Sequence, residues 1–230
     1  MLCDGSAYIG KSKLAVLLGS DIFSTITGKV VIDFGCGDGE HTVEMAQKGA
    51  KRVIGLDIRE SVLTVARQKA AQAGVTDNCV FATSTTGLAD YVVSLDAFEH
   101  FSEPGEILNI INSLLKPQGE VLASFGPTWY HPLGGHSYSV FPWSHLLFTE
   151  KAFMRWRATY SSDGATCFAE TSGGLNQMTI ARFKKVVAAS PFEFASLELV
   201  PIRKFRNFHN RFTQEFLTSY VRCRLRKRSK

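Results

Sequence analysis

The chain has 230 residues, 45% of them hydrophobic, and a formal net charge of +5, enough to build one sizeable core rather than several. No apolar run reaches the roughly 18 residues of a membrane-spanning helix. Cys3, Cys36, Cys79, Cys167 and Cys223 are scattered, odd in number and without a C-x-x-C pair, so neither a disulfide framework nor a zinc site is suggested and a reducing cytosol is the expected setting.

The first apolar run, Leu14 to Leu18, follows Lys11 and Lys13. It is too short for a secretory signal, and Asp4 falls in the would-be basic region. It is read as a helix within a lead-in over 1–28. From Lys29 short apolar runs alternate with helix-length amphipathic segments, the pattern of a parallel sheet covered on both faces. Val30 to Phe34 is a predicted strand, Glu40 to Lys48 a helix, Val53 to Asp57 a strand and Glu60 to Ala73 a helix. Cys79 to Thr83 and Tyr91 to Leu95 follow as strands. Pro104 opens a helix through Leu115, Lys116 to Gly119 reads as a turn, and Glu120 to Phe125 is a fifth strand.

Between Gly126 and Gly174 the chain turns rich in Gly, Pro, Trp, Tyr, His and Ser, with Glu150 to Tyr160 its one clear helix. Such a stretch inside a compact domain is more often a lid or binding insert than a linker. Gly173-Gly174-Leu175-Asn176 is expected to return it to the body, with Asn176 capping the next helix. Met178 to Ala189 then reads as a helix, Phe192 to Val200 as a strand and Phe212 to Arg226 as a basic amphipathic helix. A seventh strand is expected within Ala165 to Thr171 or not at all. The expected organisation is a single domain over 1–230: a core over 29–125, an insert over 126–176, and completion of the core with a basic helix over 177–230.

The sharpest local signal is Asp33-Phe34-Gly35-Cys36-Gly37-Asp38-Gly39, three alternating glycines between a strand and a helix. They permit a tight turn and close approach of a ligand to the backbone. The spacing departs from the dinucleotide fingerprint, because Gly39 comes one residue early and Glu40 takes the expected place. Asp33 at the strand end would repel a phosphate and welcome a cation. Asp57, about 20 residues past the loop, stands where an acid can take both hydroxyls of an adenosine ribose.

D-x-G-x-G-x-G, then G-L-D-I, then S-L-D-A-F-E-H, then L-K-P-x-G together resemble the ordered motifs of class I, Rossmann-like, S-adenosylmethionine-dependent methyltransferases across Val30 to Phe125. The resemblance implies a doubly wound, mostly parallel α/β sheet of about seven strands, with a lid-like insert after the fifth. It implies S-adenosyl-L-methionine as cofactor and S-adenosyl-L-homocysteine as product. Asp33 would hold the methionine ammonium, Gly35, Cys36 and Gly37 would line the methionine, Asp57 would bind ribose and Ile58 would pack on adenine. Leu95 and Asp96 would add contacts from the end of the fourth strand. Many members place an aspartate after the third strand; Thr83-Ser84 stands there in this chain, and a hydroxyl would substitute.

Ligands of open parallel sheets lie beyond the carboxyl ends of the strands, so Asp96-Ala97-Phe98-Glu99-His100 should face the transferred methyl. Its acid–histidine pair, Glu99 and His100, is the best general-base candidate, with His136 of the insert as a third catalytic candidate. A helix-capping or bracing role for the pair is the competing use. The run Ala97 to Phe101 also resembles cyclopropane fatty-acid synthases and certain alkaloid N-methyltransferases. Trp129, Tyr130, His136 and Trp143 are candidate recognisers of the acceptor. Packing of the lid is the competing use of the aromatics and metal binding that of the insert histidines, although no metal is assigned.

These residues point to an O- or N-methyltransferase of a small-molecule acceptor. The basic residues from Arg203 to Lys230, against the single acid Glu215, leave open an enzyme acting on RNA or a lipid acyl chain through a nucleic-acid or anionic-lipid contact. A module that binds S-adenosylmethionine without transferring its methyl is the reading from another class.

Overall fold

The computed structural model describes residues 10–136, 141–161, 163–171 and 173–228; Cys3, Asp4 and Lys230 lie outside them. Two short helices come first, α1 (Lys13–Leu18) and α2 (Ile22–Ile26). The Ser12 hydroxyl caps α1 by accepting from the Ala15 N–H at 3.2 Å. Then follow β1 (Val30–Phe34), α3 (Glu40–Gln47), β2 (Arg52–Leu56), α4 (Glu60–Gln72), β3 (Cys79–Ala82), β4 (Ala89–Leu95), α5 (Pro104–Leu114) and β5 (Leu115–Phe125). The insert carries α6 (Ser144–Leu147) and α7 (Glu150–Arg157), after which come α8 (Ile180–Ala188), β6 (Phe192–Pro201), α9 (Gln214–Leu217) and β7 (Thr218–Lys227).

The seven strands form one sheet in the order β3-β2-β1-β4-β5-β7-β6. β1 to β5 pair in parallel, and β7 runs antiparallel to both β5 and β6. This is the doubly wound, mostly parallel sheet expected from the sequence. The order reverses between β1 and β4, so the crevice at their carboxyl ends is the topological switch point.

Both faces of the sheet are covered, as the near-continuous apolar strands require. Ile32, Ile54, Val92 and Val121 face one core with Phe98, Ile111 and Phe183. Their chain neighbours Val31, Val53, Val93 and Leu122 face the other, with Leu14, Leu17, Met45 and Leu63. Fully burying each such side chain contributes about 1.5–3 kcal/mol. A third, smaller core of Phe153, Met154, Phe168 and Leu175, with Trp129 against it, belongs to the insert itself.

Four expectations are corrected. The segment Phe212 to Arg226 is a four-residue helix followed by a strand rather than a basic amphipathic helix. That strand supplies the seventh member of the sheet, while Phe168–Glu170 makes one turn of 3-10 helix where a strand was considered. Asn176 does not cap α8: the Thr179 hydroxyl does, accepting from the Arg182 N–H at 3.0 Å. Lys116 to Gly119, expected as a turn, lies within β5, where the register against β4 shifts between Ala89 and Tyr91. No helix among the described residues is long and apolar enough to cross a membrane.

Candidate functional site

At the end of β1 the backbone turns through Gly35, Gly37 and Gly39 with φ of +83°, +53° and +77°, a region that L side chains avoid. A Cβ on Gly39 would stand 2.6 Å from the Ala66 Cβ and 2.8 Å from the Phe81 ring, so this glycine lets the turn pack on α4 and β3. A Cβ on Gly37 would meet nothing within 4 Å; its side of the turn is open to a ligand. Leu56 anchors the turn from β2, its carbonyl accepting from the N–H groups of Gly35 and Cys36 at 2.8 and 2.9 Å.

Asp57 is joined to the same turn. Its Oδ2 accepts from the Gly37 N–H at 3.1 Å. Its Oδ1 accepts from the Arg59 N–H at 3.0 Å and from Arg59 Nε at 3.1 Å. Burial works against the charge, but the Arg59 hydrogen bonds outweigh it and hold the Asp57 carboxyl below its ordinary value. The Arg59 side chain is 60% exposed, against 7% for Asp57, so the arginine is the partner free to move aside. Ile58, beside them, is 91% exposed, an apolar surface without cover. Thr83 and Ser84 lie exposed just past β3.

Asp33 is only 3% exposed, and its Oδ2 accepts from the Thr42 hydroxyl at 2.6 Å. Burial pushes its pKa up, with the Thr42 hydrogen bond and nearby His41 opposing. The acid expected at the strand end is thus buried at the root of the loop.

The segment after β4 lies beside the glycine turn, since a Cβ on Gly35 would touch that of Ala97 at 3.5 Å. It leaves Leu95, itself 8% exposed, through Asp96, which has φ of +47° and pairs with Lys13 of α1 at 2.6 Å. Phe98 plugs the core against Phe101, Phe125 and Phe183. Glu99, 3% exposed, accepts from the Gly126 N–H at 3.1 Å through Oε1, whereas Oε2 is buried without a partner. Burial, reinforced by Asp96, raises its pKa to about 8.

His100 Nδ1 lies 2.6 Å from the Gly174 carbonyl. A carbonyl only accepts, so Nδ1–H donates and Nε2 carries the lone pair. The insert brings His136 alongside, with ring centroids 5.3 Å apart and His136 at φ of +54°. Its Nε2 is buried without a partner, and burial followed by the neighbouring His100 lowers its pKa to about 4. One ligand atom from each of Glu99, His100 and His136 lies within 4.8 Å of the other two. The three catalytic candidates are thus one cluster.

The other insert residues divide differently. Trp129 packs its ring on His145 and Phe168 at 4.7 and 5.1 Å, the packing use of these aromatics. Trp143, at φ of +58°, donates from Nε1 to the Tyr130 carbonyl at 3.0 Å. Tyr130 is 37% exposed and its ring meets Phe216 at 5.3 Å. His131 accepts from the Leu133 N–H at 3.0 Å, and His145 Nε2 bonds the Trp129 carbonyl at 2.6 Å. Neither joins His136.

Sequence reasoning missed the residues that hold these groups: Thr42, Arg59, Lys13, Gly126 and Gly174. It gave Asn176 a capping role, whereas the side-chain amide donates to the Phe98 and Phe101 carbonyls at 2.7 and 2.6 Å and so clamps the segment bearing Glu99 and His100. The glycine pair before Asn176 was the available signal for a close backbone approach.

Residues 27–128 match a family model described as a methyltransferase domain. A ubiquinone biosynthesis O-methyltransferase of Pseudomonas paraeruginosa is 35% identical over 105 residues, covering 43% of this chain and 45% of that protein. The chain therefore spans about half the length of the curated relatives it matches. Among solved structures, an S-adenosylmethionine-dependent methyltransferase from Mesorhizobium loti superposes with a TM-score of 0.58 at 17% identity, covering 88% of this chain and 92% of that one. The [4+2]-cyclase SpnF superposes at 0.60 and 14% identity, covering 92% and 81%. Likeness at this identity establishes the fold: a class I methyltransferase sheet.

Proposed function

We propose that the protein is an enzyme transferring the methyl group of S-adenosylmethionine to an oxygen or nitrogen of a small-molecule acceptor, a reading supported by the match of residues 27–128 to a methyltransferase-domain model and by the fold. The observation that carries this reading is the open Gly37 turn hydrogen-bonded to the Asp57 carboxylate at the switch point. A dinucleotide would need phosphate room at that turn; two acids, Asp33 and Asp57, flank it instead. An acid-flanked, glycine-lined crevice suits a phosphate-free cation.

In this reading Gly35, Cys36 and Gly37 line the methionine portion, and Asp33 stabilises its ammonium through charge held at the root of the loop. Asp57 exchanges the exposed Arg59 for the two ribose hydroxyls, Ile58 covers the adenine, and Thr83, Ser84, Leu95 and Asp96 complete the cofactor wall. Bound S-adenosylmethionine supplies an electrophilic methyl on a good leaving group. The protein must then align the acceptor, exclude water and manage the acceptor's proton. The cluster of Glu99, His100 and His136 is suited to the last task, and the insert over 126–176, with Tyr130 at its exposed face, acts as the lid that selects the acceptor.

Incubation with methyl-labelled S-adenosylmethionine and fractionated cell extract should label a small-molecule fraction. Calorimetry should show binding of S-adenosylmethionine and of S-adenosylhomocysteine; no binding of either would end this reading. Asp57→Ala should weaken that binding about tenfold or more, the equivalent of about 1.4 kcal/mol.

A second reading of the acceptor's setting rests on exposed Phe205, Phe208, Phe212 and Phe216, at 44%, 66%, 77% and 42%, among exposed Arg203, Lys204, Arg206 and Arg211. Apolar rings interleaved with cations suit an anionic lipid surface, which would present a lipophilic acceptor to the enzyme.

A further inference from the structure

We propose that Glu99, His100 and His136 form a binding site for one divalent transition-metal ion of the zinc class, open on the side of the acceptor. The site itself rests on geometry alone; the orientation toward an acceptor rests on the methyltransferase reading.

A general base needs one lone pair. This cluster converges three, from residues on two separate segments, with ligand atoms mutually within 4.8 Å. Two of them, Glu99 Oε2 and His136 Nε2, are buried without any hydrogen-bond partner. Leaving a buried polar atom unsatisfied costs about 1–3 kcal/mol each, and two such atoms side by side are accounted for by a shared ligand. Neither of these two atoms hydrogen-bonds to the other or to His100. The His100 proton sits on Nδ1, committed to the Gly174 carbonyl at 2.6 Å, so its Nε2 offers a lone pair.

That carbonyl is the outer hydrogen bond by which metal-binding histidines are ordinarily oriented. The Gly126 N–H plays the same part for Glu99, holding Oε1 at 3.1 Å and turning Oε2 inward. Asn176 locks the segment from behind through the Phe98 and Phe101 carbonyls. On the other side, His136 holds a left-handed backbone conformation, φ +54°, which costs a non-glycine residue energy and concentrates at functional positions.

Two imidazoles and one carboxylate are the ligand set of open catalytic zinc sites, and imidazole also suits iron and copper, whereas magnesium and calcium prefer oxygen throughout. Ligand atoms around one zinc ion stand about 3.4 Å apart, a spacing that side chains already within 4.8 Å of one another can reach by rotamer adjustment. The remaining coordination positions can take a hydroxyl oxygen of the acceptor. A hydroxyl held in this way would give up its proton to solvent water more readily, leaving the oxygen to take the methyl as the sulfonium leaves. His131 and His145, the other insert histidines considered for a metal, are committed to backbone partners.

The test starts from protein stripped with a chelator and titrated with Zn²⁺ by calorimetry and with Co²⁺ by visible absorption. The wild type should take one equivalent, and its cobalt spectrum should show d–d bands without a thiolate charge-transfer band. Glu99→Gln and His136→Ala should each bind at least tenfold more weakly while retaining S-adenosylhomocysteine affinity, which reports an intact fold. No saturable binding by the wild type, or equal binding by a folded His136→Ala, overturns the site. So does a thiolate band, which would move the ion to a cysteine and needs no variant to be read. Metal binding without S-adenosylhomocysteine binding would sink the methyltransferase reading and leave the site standing.

Discussion

Asp33 is the residue whose behaviour departs most from its place in the sequence. Its carboxyl is buried among Thr42, His41, Asp57, Cys36 and Cys79, and burial raises its pKa. An acid with a raised folded-state pKa contributes stability that is fully present below its unfolded value and lost as pH rises through the folded one. A cationic cofactor reverses the preference by favouring the ionised form. Affinity for S-adenosylhomocysteine, which keeps the ammonium, should therefore rise with pH and level off. Asp33→Asn should bind more weakly and without that dependence, yet melt at a higher temperature when free of cofactor at neutral pH. A pH-dependent affinity surviving in Asp33→Asn would assign the titration elsewhere. Asp33 was legible from the motif, but its burial was not, because Thr42 lies a turn into α3 and only the fold brings it to the carboxylate.

The elements show why local pattern succeeded for some segments and failed for others. β1 to β5 are buried on both faces, so each reads as an apolar run whatever its neighbours. β7 is different: Val221, Cys223 and Leu225 are buried while Arg222, Arg224 and Arg226 alternate with them. That period of two was visible, but the arginines favour a helix as readily as an edge. What decides is β6, where Glu198 and Glu193 stand opposite Arg222 and Arg226 in register and pair with them at 2.9 and 2.7 Å. Arg222, Lys227 and Arg228 also donate to the carbonyls of Leu17, Leu115 and Phe192. Much of the basic tail is therefore mortar for the sheet. Glu215, the lone acid there, accepts from the Ile180 and Ala181 N–H groups at 3.0 and 2.8 Å, capping α8 from 34 residues away. Glu215→Ala should cost about 1–2 kcal/mol in denaturant unfolding, with S-adenosylhomocysteine affinity unchanged. A loss of under a few tenths of a kcal/mol would show the cap to be idle.

Across the whole molecule, the basic charge separates into two populations that the sequence presents as one run. The basic residues of β7 bind carbonyls, the cross-strand acids and, through Arg224, Asp21, whereas Arg203, Lys204, Arg206 and Arg211 between β6 and α9 are exposed with Phe205, Phe208, Phe212 and Phe216. The two kinds join through Tyr130 of the insert, which meets Phe216 at 5.3 Å, so the patch adjoins the segment read as the acceptor lid. Near an anionic membrane each such cation contributes about 1 kcal/mol, within a Debye length of the surface. The exposed rings add a contribution that salt does not screen. The full-length chain should therefore sediment with vesicles containing phosphatidylglycerol and not with pure phosphatidylcholine, and raising the salt should weaken but not abolish this. Phe208→Ser combined with Phe212→Ser should reduce vesicle binding about tenfold or more with S-adenosylhomocysteine affinity intact, since both rings are exposed. Equal sedimentation with both lipids would remove the electrostatic half of the argument, and tight binding of an RNA oligomer in place of vesicles would replace the lipid with a nucleic acid.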